Sequence, residues 1–99
     1  MADGKVEMEN VNHPGRPTRV DAAKYAEVRG AMLAVLGETD RALSYDEWAP
    51  AVKARLSERL FPGGATAGWW CKGVQLDLEA KGLISREAGK PLRWRRVSA

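Results

Sequence analysis

The sequence predicts a small α+β domain in which three helices are followed by a C-terminal β-hairpin. Apolar residues recur at helical spacing in three successive segments, each bounded by glycine, proline or a capping residue. After Gly82 the period falls from 3.6 to about 2, which is the alternation of a strand. The chain has 99 residues, 44% hydrophobic and 29% charged, which fits one folded core.

Residues 1–20 are expected to form an extended N-terminal segment, and residues 21–99 the folded domain. The segment is rich in residues that favour turns over helix, namely Asn10, Asn12, Pro14, Gly15 and Pro17. Between Lys5 and Val11 the apolar residues permit a short edge strand, and an unstructured terminus is the alternative.

The first helix is predicted over residues 22–36. Asp21 can accept hydrogen bonds from the free amides of the first turn, and Gly37 would supply a left-handed stop. The apolar face of this helix consists of Tyr25, Val28, Met32, Val35 and Leu36.

The second helix is predicted to begin at Tyr45, because Ser44 and Glu47 have the spacing of a capping box. Pro50 would delete one backbone hydrogen bond inside this helix. The sequence therefore predicts a kink there, or a start nearer Ala49. The apolar stripe consists of Trp48, Val52, Leu56 and Leu60.

The third helix is predicted over residues 67–81, with Thr66 as its cap and Gly82 as its stop. It carries two apolar stripes on nearly opposite sides. One consists of Trp70, Cys71, Val74 and Leu78, and the other of Trp69, Gly73, Leu76 and Ala80. We expect the first stripe to face the core and the N-terminal segment to lie over the second. A narrow sector would remain for solvent or a ligand, bearing Lys72, Gln75 and Glu79.

The hairpin is predicted from two strands, residues 83–86 and 92–97, around a glycine-containing turn. Alternation places Leu92 and Trp94 on one face and Arg93 and Arg95 on the other. Trp94 would therefore anchor the hairpin on the core. From Leu83 onward the chain has one acidic residue, Glu87, and five cationic residues: Arg86, Lys90, Arg93, Arg95 and Arg96.

The junction Leu78-Glu-Ala-Lys-Gly-Leu-Ile-Ser-Arg86 is similar to the seam between recognition helix and wing in many bacterial regulators of the MarR-like and related classes. With three helices and a hairpin, residues 22–97 resemble a winged helix-turn-helix. The whole chain also resembles a small bacterial family of uncharacterised proteins. This second likeness lies in Glu9-Asn-Val-Asn12, Pro14-Gly-Arg16 and Pro62-Gly-Gly-Ala65.

The winged-helix resemblance implies nucleic-acid binding, with duplex DNA as the expected ligand and weak sequence selectivity. By position, it implies that groove contacts come from Lys72 and Gln75, and wing contacts from Arg86, Lys90, Arg93 and Arg95. Because Glu79 would repel phosphate, the affinity would come mainly from the wing. The alternative is a protein-interaction adaptor on the same scaffold. It would use the stripe of Trp69 and Leu76, or the arginine strand, against a protein partner or a second copy of the chain.

The sequence does not predict an enzyme, since no phosphate-binding loop or hydrolase motif occurs and no nucleophile and base occur together. A single cysteine, Cys71, and a single histidine, His13, are too few for a zinc site, so neither a metal nor a cofactor is expected. No apolar run approaches the ~20 residues that cross a bilayer, and the first residues lack a secretory signal pattern. We therefore expect a cytoplasmic protein with no membrane partner.

Overall fold

The computed structural model describes residues 4–97, which form three α-helices and two small antiparallel sheets. The strands are β1 (Lys5–Met8), β2 (Thr18–Asp21), β3 (Leu43–Ser44), β4 (Ile84–Glu87) and β5 (Arg93–Arg96). The helices are α1 (Ala22–Gly37), α2 (Tyr45–Lys53) and α3 (Ala67–Ala80), with a short 3₁₀ turn at Pro62–Gly64. The α+β prediction with three helices is confirmed.

The N-terminal segment folds as a hairpin of β1 and β2, here called the N-terminal hairpin. The two strands pair antiparallel from Lys5 opposite Asp21 to Met8 opposite Thr18. The short strand predicted near Lys5 is therefore confirmed, whereas β2 was not predicted, since Val20 is its one apolar residue. Met8 is buried against α3, where its methyl group lies over Gly73. The hairpin thus lies over α3, as expected.

Helix α1 begins at Ala22 as predicted and ends at Gly37, one residue beyond the predicted end. The Lys24 amide donates to Asp21 Oδ1 over 2.9 Å, and this backbone hydrogen bond lowers the pKa of Asp21. Gly37 does not take the left-handed conformation that the sequence suggested. Its lack of a side chain instead admits Arg96, because a Cβ at Gly37 would lie 3.0 Å from Arg96 Nη1. Arg96 Nη1 donates to the Leu33 carbonyl over 3.2 Å and so caps the helix.

Helix α2 begins at Tyr45, so the alternative start nearer Ala49 is wrong. The Ser44 amide donates to Glu47 Oε1 over 2.9 Å, which is the carboxylate half of the capping box. This backbone hydrogen bond lowers the pKa of Glu47. The helix accommodates Pro50 but ends at Lys53, before the end of the predicted stripe. The remaining stripe residues Leu56 and Leu60 pack on the core from an irregular segment.

Helix α3 begins after Thr66, but the Thr66 side chain does not cap it, so that prediction is wrong. Thr66 has a φ of 61°, and its hydroxyl donates to the Ala65 carbonyl over 2.6 Å. The helix ends at Ala80, one residue before the predicted end. Gly82 is the predicted left-handed stop, since its φ is 74° and the Leu83 amide donates to the Leu78 carbonyl over 2.9 Å.

The second sheet has the strand order β3-β5-β4, and its β4–β5 unit is the predicted C-terminal hairpin. Leu43 of β3 pairs with Trp94 of β5, which attaches the hairpin to the residue pair that precedes α2. Trp94 is 4% exposed and meets Trp48 edge to face at 6.0 Å between ring centroids. Trp70 is also buried, against Phe61. The expected core positions of Trp70 and Trp94 are confirmed.

The backbone of Thr66 provides a test of this fold. A β-branched residue with positive φ is strained, and glycine adopts the same conformation without that strain. We expect Thr66→Gly to raise the free energy of unfolding by about 0.5–1 kcal/mol, the strain relieved less the entropy that glycine loses on folding. Thr66→Ala keeps the Cβ and should change stability little. Urea unfolding measures both, and an equal gain in the two variants would contradict the backbone assignment.

Candidate interaction site

The arginines expected to contact nucleic acid are bonded to carboxylates of the same chain. Arg86 Nη2 lies 2.9 Å from Glu79 Oε2, and Arg95 Nε lies 3.1 Å from Glu87 Oε2. Arg93 Nη1 lies 3.0 Å from Glu47 Oε1 on α2. Lys90 is exposed in the turn between β4 and β5. Three of the four candidate wing residues therefore carry an acidic neighbour that offsets their charge.

Gln75 does not face solvent, so its predicted place in an exposed sector is wrong. The residue is fully buried, and its Nε2 donates to the Glu79 carboxylate. Glu79 Oε1 also accepts from Trp94 Nε1 over 2.8 Å. The C-terminal hairpin reaches the end of this sector, where Trp94 and Arg86 bond to Glu79. Of the two predicted groove contacts, Lys72 alone is exposed.

A buried carboxylate that the sequence analysis missed, Asp77, joins three elements of the fold. Its side chain has no exposed surface. Oδ1 accepts from the Glu9 amide at the end of β1 over 2.8 Å and lies 2.7 Å from Lys81 Nζ, and Oδ2 accepts from the Tyr25 hydroxyl on α1. Lys81 Nζ also donates to the Tyr25 hydroxyl oxygen over 3.0 Å. These bonds supply the partners that a charged group needs in a dry interior.

The Asp77 network shifts the proton affinities of its neighbours. Burial, then the hydrogen bond to Asp77, raises the pKa of Tyr25. Burial alone would lower the pKa of Lys81, but its hydrogen bonds to Asp77 and Tyr25 outweigh burial and raise it. Both groups are therefore held in their protonated forms.

A signal for this network was present in the sequence. Asp77 and Lys81 are an acid and a base one turn apart, and Asp77 lies one turn after Val74 on the buried side of α3. A carboxylate at a core-facing position indicates a buried partner. The Tyr25 hydroxyl and the Glu9 amide could not have been identified as partners, because they lie 52 and 68 residues away in the chain.

A groove lies between α3 and the N-terminal hairpin, and we call it the Trp69 groove. Its volume is about 200 Å³, and its lining consists of Met8, Glu9, Asn10, Thr18, Trp69, Lys72, Gly73 and Leu76. Trp69 is 56% exposed, although its ring is held edge to face against Trp70 at 5.3 Å. The hairpin therefore covers only part of the second apolar stripe. An aromatic face, with Lys72 one turn further along α3, is left open to solvent.

A wider groove of about 830 Å³ lies between the end of α1 and the C-terminal hairpin. Two of its arginines serve the backbone there, since Arg95 donates to the Asp40 carbonyl and Arg96 to the Leu33 carbonyl. Their guanidinium groups satisfy carbonyls near the helix end. Arg95 and Arg96 in this groove therefore already have acceptors within the chain.

The remaining candidate residues do not form a reactive cluster. His13 is exposed in the loop of the N-terminal hairpin, whereas Cys71 is fully buried, and burial raises the pKa of its thiol. Within residues 4–97, no three histidine, cysteine or acidic side chains come together as a metal site would require. Over the same residues, no helix combines the length and apolar character needed to span a membrane.

Comparison with known proteins gives one match. A family model described as "Family of unknown function (DUF6958)" matches residues 5–94, which include the N-terminal hairpin, the helices and most of the C-terminal hairpin. The resemblance to a small uncharacterised family is in agreement with this match. No curated protein and no solved structure matches the chain.

The raised pKa values of Tyr25 and Lys81 predict a loss of stability in alkali. Their ordinary values are 10.0 and 10.5, and the folded state holds these protons more tightly than the unfolded state does. Their contribution to stability is complete below those values and is lost as the pH rises through the raised ones. We expect the free energy of unfolding to fall above pH 9.0, where the buried Cys71 thiol begins to contribute, and to fall less steeply above pH 10.0 in Tyr25→Phe. Urea unfolding over this pH range measures the free energy of unfolding of both proteins. If it fell equally steeply in the wild type and in Tyr25→Phe, the raised pKa of Tyr25 would be contradicted.

Proposed function

We propose that the protein is a protein-interaction module that binds its partner in the Trp69 groove. The chain belongs to the family described as "Family of unknown function (DUF6958)", so the proposal is based on the protein's surface. The observation that carries this proposal is the 56% exposure of Trp69 in a groove whose apolar lining also includes Met8 and Leu76. Tryptophan is among the residues that most often dominate binding energy at protein interfaces. Its fixed ring would lose little conformational entropy on binding.

We also propose that the scaffold is a winged-helix variant with an added N-terminal hairpin. The succession of α2, α3 and an antiparallel hairpin supports this. So does the way the C-terminal hairpin returns to α3, where Trp94 and Arg86 both bond to Glu79. The added hairpin packs on α3 beside the core, with Met8 over Gly73, and this gives the variant its groove.

Three observations favour a protein partner over duplex DNA. A recognition helix needs a free face to enter a groove, and here Met8 packs over Gly73 and the Glu9 amide bonds to Asp77, so the N-terminal hairpin occupies part of the surface of α3. Gln75 is buried and offers no base contact. Phosphate binding depends on free cations, whereas Arg86, Arg93 and Arg95 each have a carboxylate partner. Duplex binding through Lys72, Lys90 and the arginines is the competing proposal.

The groove also indicates what the partner offers. Met8, Leu76 and the Trp69 ring suit a large apolar side chain. Lys72 lines the groove. A second cation, Lys53, lies close to Gly68, the residue before Trp69, since its Nζ would be 4.0 Å from a Cβ placed on Gly68. Glu9 lines the hairpin wall and would repel a carboxylate there, so the two cations favour a carboxylate on the α3 side of the groove. The proposed ligand is thus a protein segment that joins an apolar residue to aspartate or glutamate.

A peptide-display selection on the wild-type protein tests this function. We expect enriched sequences that combine an aromatic or long aliphatic residue with an acidic neighbour. Trp69→Ala should weaken the selected peptide by about 2 kcal/mol or more, as loss of a central interface tryptophan does. Leu92→Ala is the matched control, because Leu92 is an exposed apolar residue outside the groove, and it should leave binding unchanged.

Fluorescence anisotropy with labelled nucleic acids tests the competing proposal of duplex DNA binding. At an ionic strength of about 0.15 M we expect negligible affinity for random duplex DNA. The competing proposal requires affinity that falls steeply with salt and weakens equally on all sequences in Arg93→Ala/Arg95→Ala. That outcome, or binding of single-stranded nucleic acid that depends on Trp69, would contradict a protein ligand.

A further inference from the structure

We propose that Asp77 is a positioning residue for the Trp69 groove: it holds the end of β1 against α3 and so builds the wall opposite Trp69. The importance of this wall for binding rests on the proposed function. The positioning itself is a property of the fold and can be measured without a ligand.

The groove has two walls from distant parts of the chain. One is the outer side of α3, with Trp69, Lys72 and Leu76, and the other is the N-terminal hairpin, with Met8 and Thr18. The pairing of β1 with β2 ends at Met8 opposite Thr18. The next residue, Glu9, donates its amide to Asp77 Oδ1 over 2.8 Å. Asp77 therefore binds the backbone at the point where the β-ladder stops holding it.

The partners of Asp77 have separable roles. Lys81 and the Tyr25 hydroxyl already provide the countercharge and the hydrogen bond that a buried carboxylate requires. They also fix the orientation of the side chain from α3 and α1. The bond from the Glu9 amide adds a contact to the hairpin, and its effect is to place the hairpin backbone.

Close packing beside Asp77 supports the same role. A Cβ at Gly73 would lie 2.6 Å from the Met8 methyl carbon and 3.3 Å from the Met8 sulfur, so the missing side chain lets the hairpin approach α3. Glycine is unfavourable inside a helix, and this approach accounts for it here. Met8 is 6% exposed in this position. Its methyl group therefore reports directly on whether the hairpin is docked.

Methyl NMR of the methionines in the full chain, with three variants, tests the proposal. Asp77→Ala removes the acceptor for the Glu9 amide, and we expect the Met8 methyl signal to move to the position of a solvent-exposed methionine. The signal of Met32, which is fully buried on α1, should stay in place and shows that the core is folded. If the hairpin is then docked a tenth of the time, affinity for the peptide selected on the wild-type protein falls about tenfold.

Two matched variants separate positioning from a general loss of stability. Asp77→Asn keeps an oxygen for the Glu9 amide, so Met8 and the peptide affinity should stay close to wild type. Tyr25→Phe weakens the same network from the α1 side but leaves the Glu9 bond, so Met8 should again stay in place. An unmoved Met8 signal in Asp77→Ala, or a displacement in both other variants equal to that in Asp77→Ala, would overturn the proposal.

The outcomes also separate this inference from the proposed function. If no peptide is selected but Met8 moves in Asp77→Ala alone, the positioning role stands and the proposed function fails. If Asp77→Ala does not fold, as loss of the Met32 signal would show, Asp77→Asn decides. A Met8 signal in its wild-type position then supports the role of the acceptor oxygen, and a displaced signal overturns it.

Discussion

The buried carboxylate of Asp77 is the constraint on which the arrangement of this domain depends. Placing a charge in the interior costs several kcal/mol unless it is paired and hydrogen-bonded. Here Lys81, the Tyr25 hydroxyl and the Glu9 amide supply those bonds from α3, α1 and the end of β1. Because each partner comes from a different element, satisfying one side chain sets the position of three. The N-terminal hairpin is for this reason part of the folded unit.

The distribution of charge at the carboxyl end depends on a similar long-range arrangement. As a sequence, the segment after Leu83 is a basic ribbon. In the folded chain Arg93 forms an ion pair with Glu47, whose carboxylate also caps the start of α2. Arg96 caps the end of α1. These cations attach the C-terminal hairpin to the helices. Exposed pairs of this kind add little stability individually, but they lower the positive field that would attract a polyanion.

The helices and the C-terminal hairpin could be predicted because their signals are local. Asp21, the Ser44 and Glu47 pair, and Gly82 each act within one or two turns of the backbone they cap, and each lies where the sequence predicted. The core positions of Trp70 and Trp94 followed from periodicity and alternation alone. These features require no knowledge of distant residues.

The site could be predicted only in part because its determinants are non-local. The two opposed apolar stripes on α3 indicated that a second part of the protein must cover Trp69. The N-terminal hairpin packs beside Trp69 but leaves it 56% exposed. Gln75 is buried and bonds to Glu79, which the C-terminal hairpin also contacts through Trp94, and the partner of Arg93 lies 46 residues away. Helical periodicity describes one element at a time and contains no information on such contacts. At polar residues within an apolar pattern, such as Asp77, tertiary contacts decide the position of the side chain and helical periodicity does not predict it.

Amide hydrogen exchange in the wild-type protein can show whether Asp77 holds the N-terminal hairpin, because two amides of the hairpin can be compared. The Glu9 amide donates to Asp77 Oδ1 over 2.8 Å beside the core, and the Asn12 amide donates to Asn10 Oδ1 over 2.8 Å in an exposed turn. Because its acceptor is buried, the Glu9 amide should exchange much more slowly than the Asn12 amide, at a rate set by undocking of the hairpin. Equal, rapid exchange at the two positions would contradict this expectation.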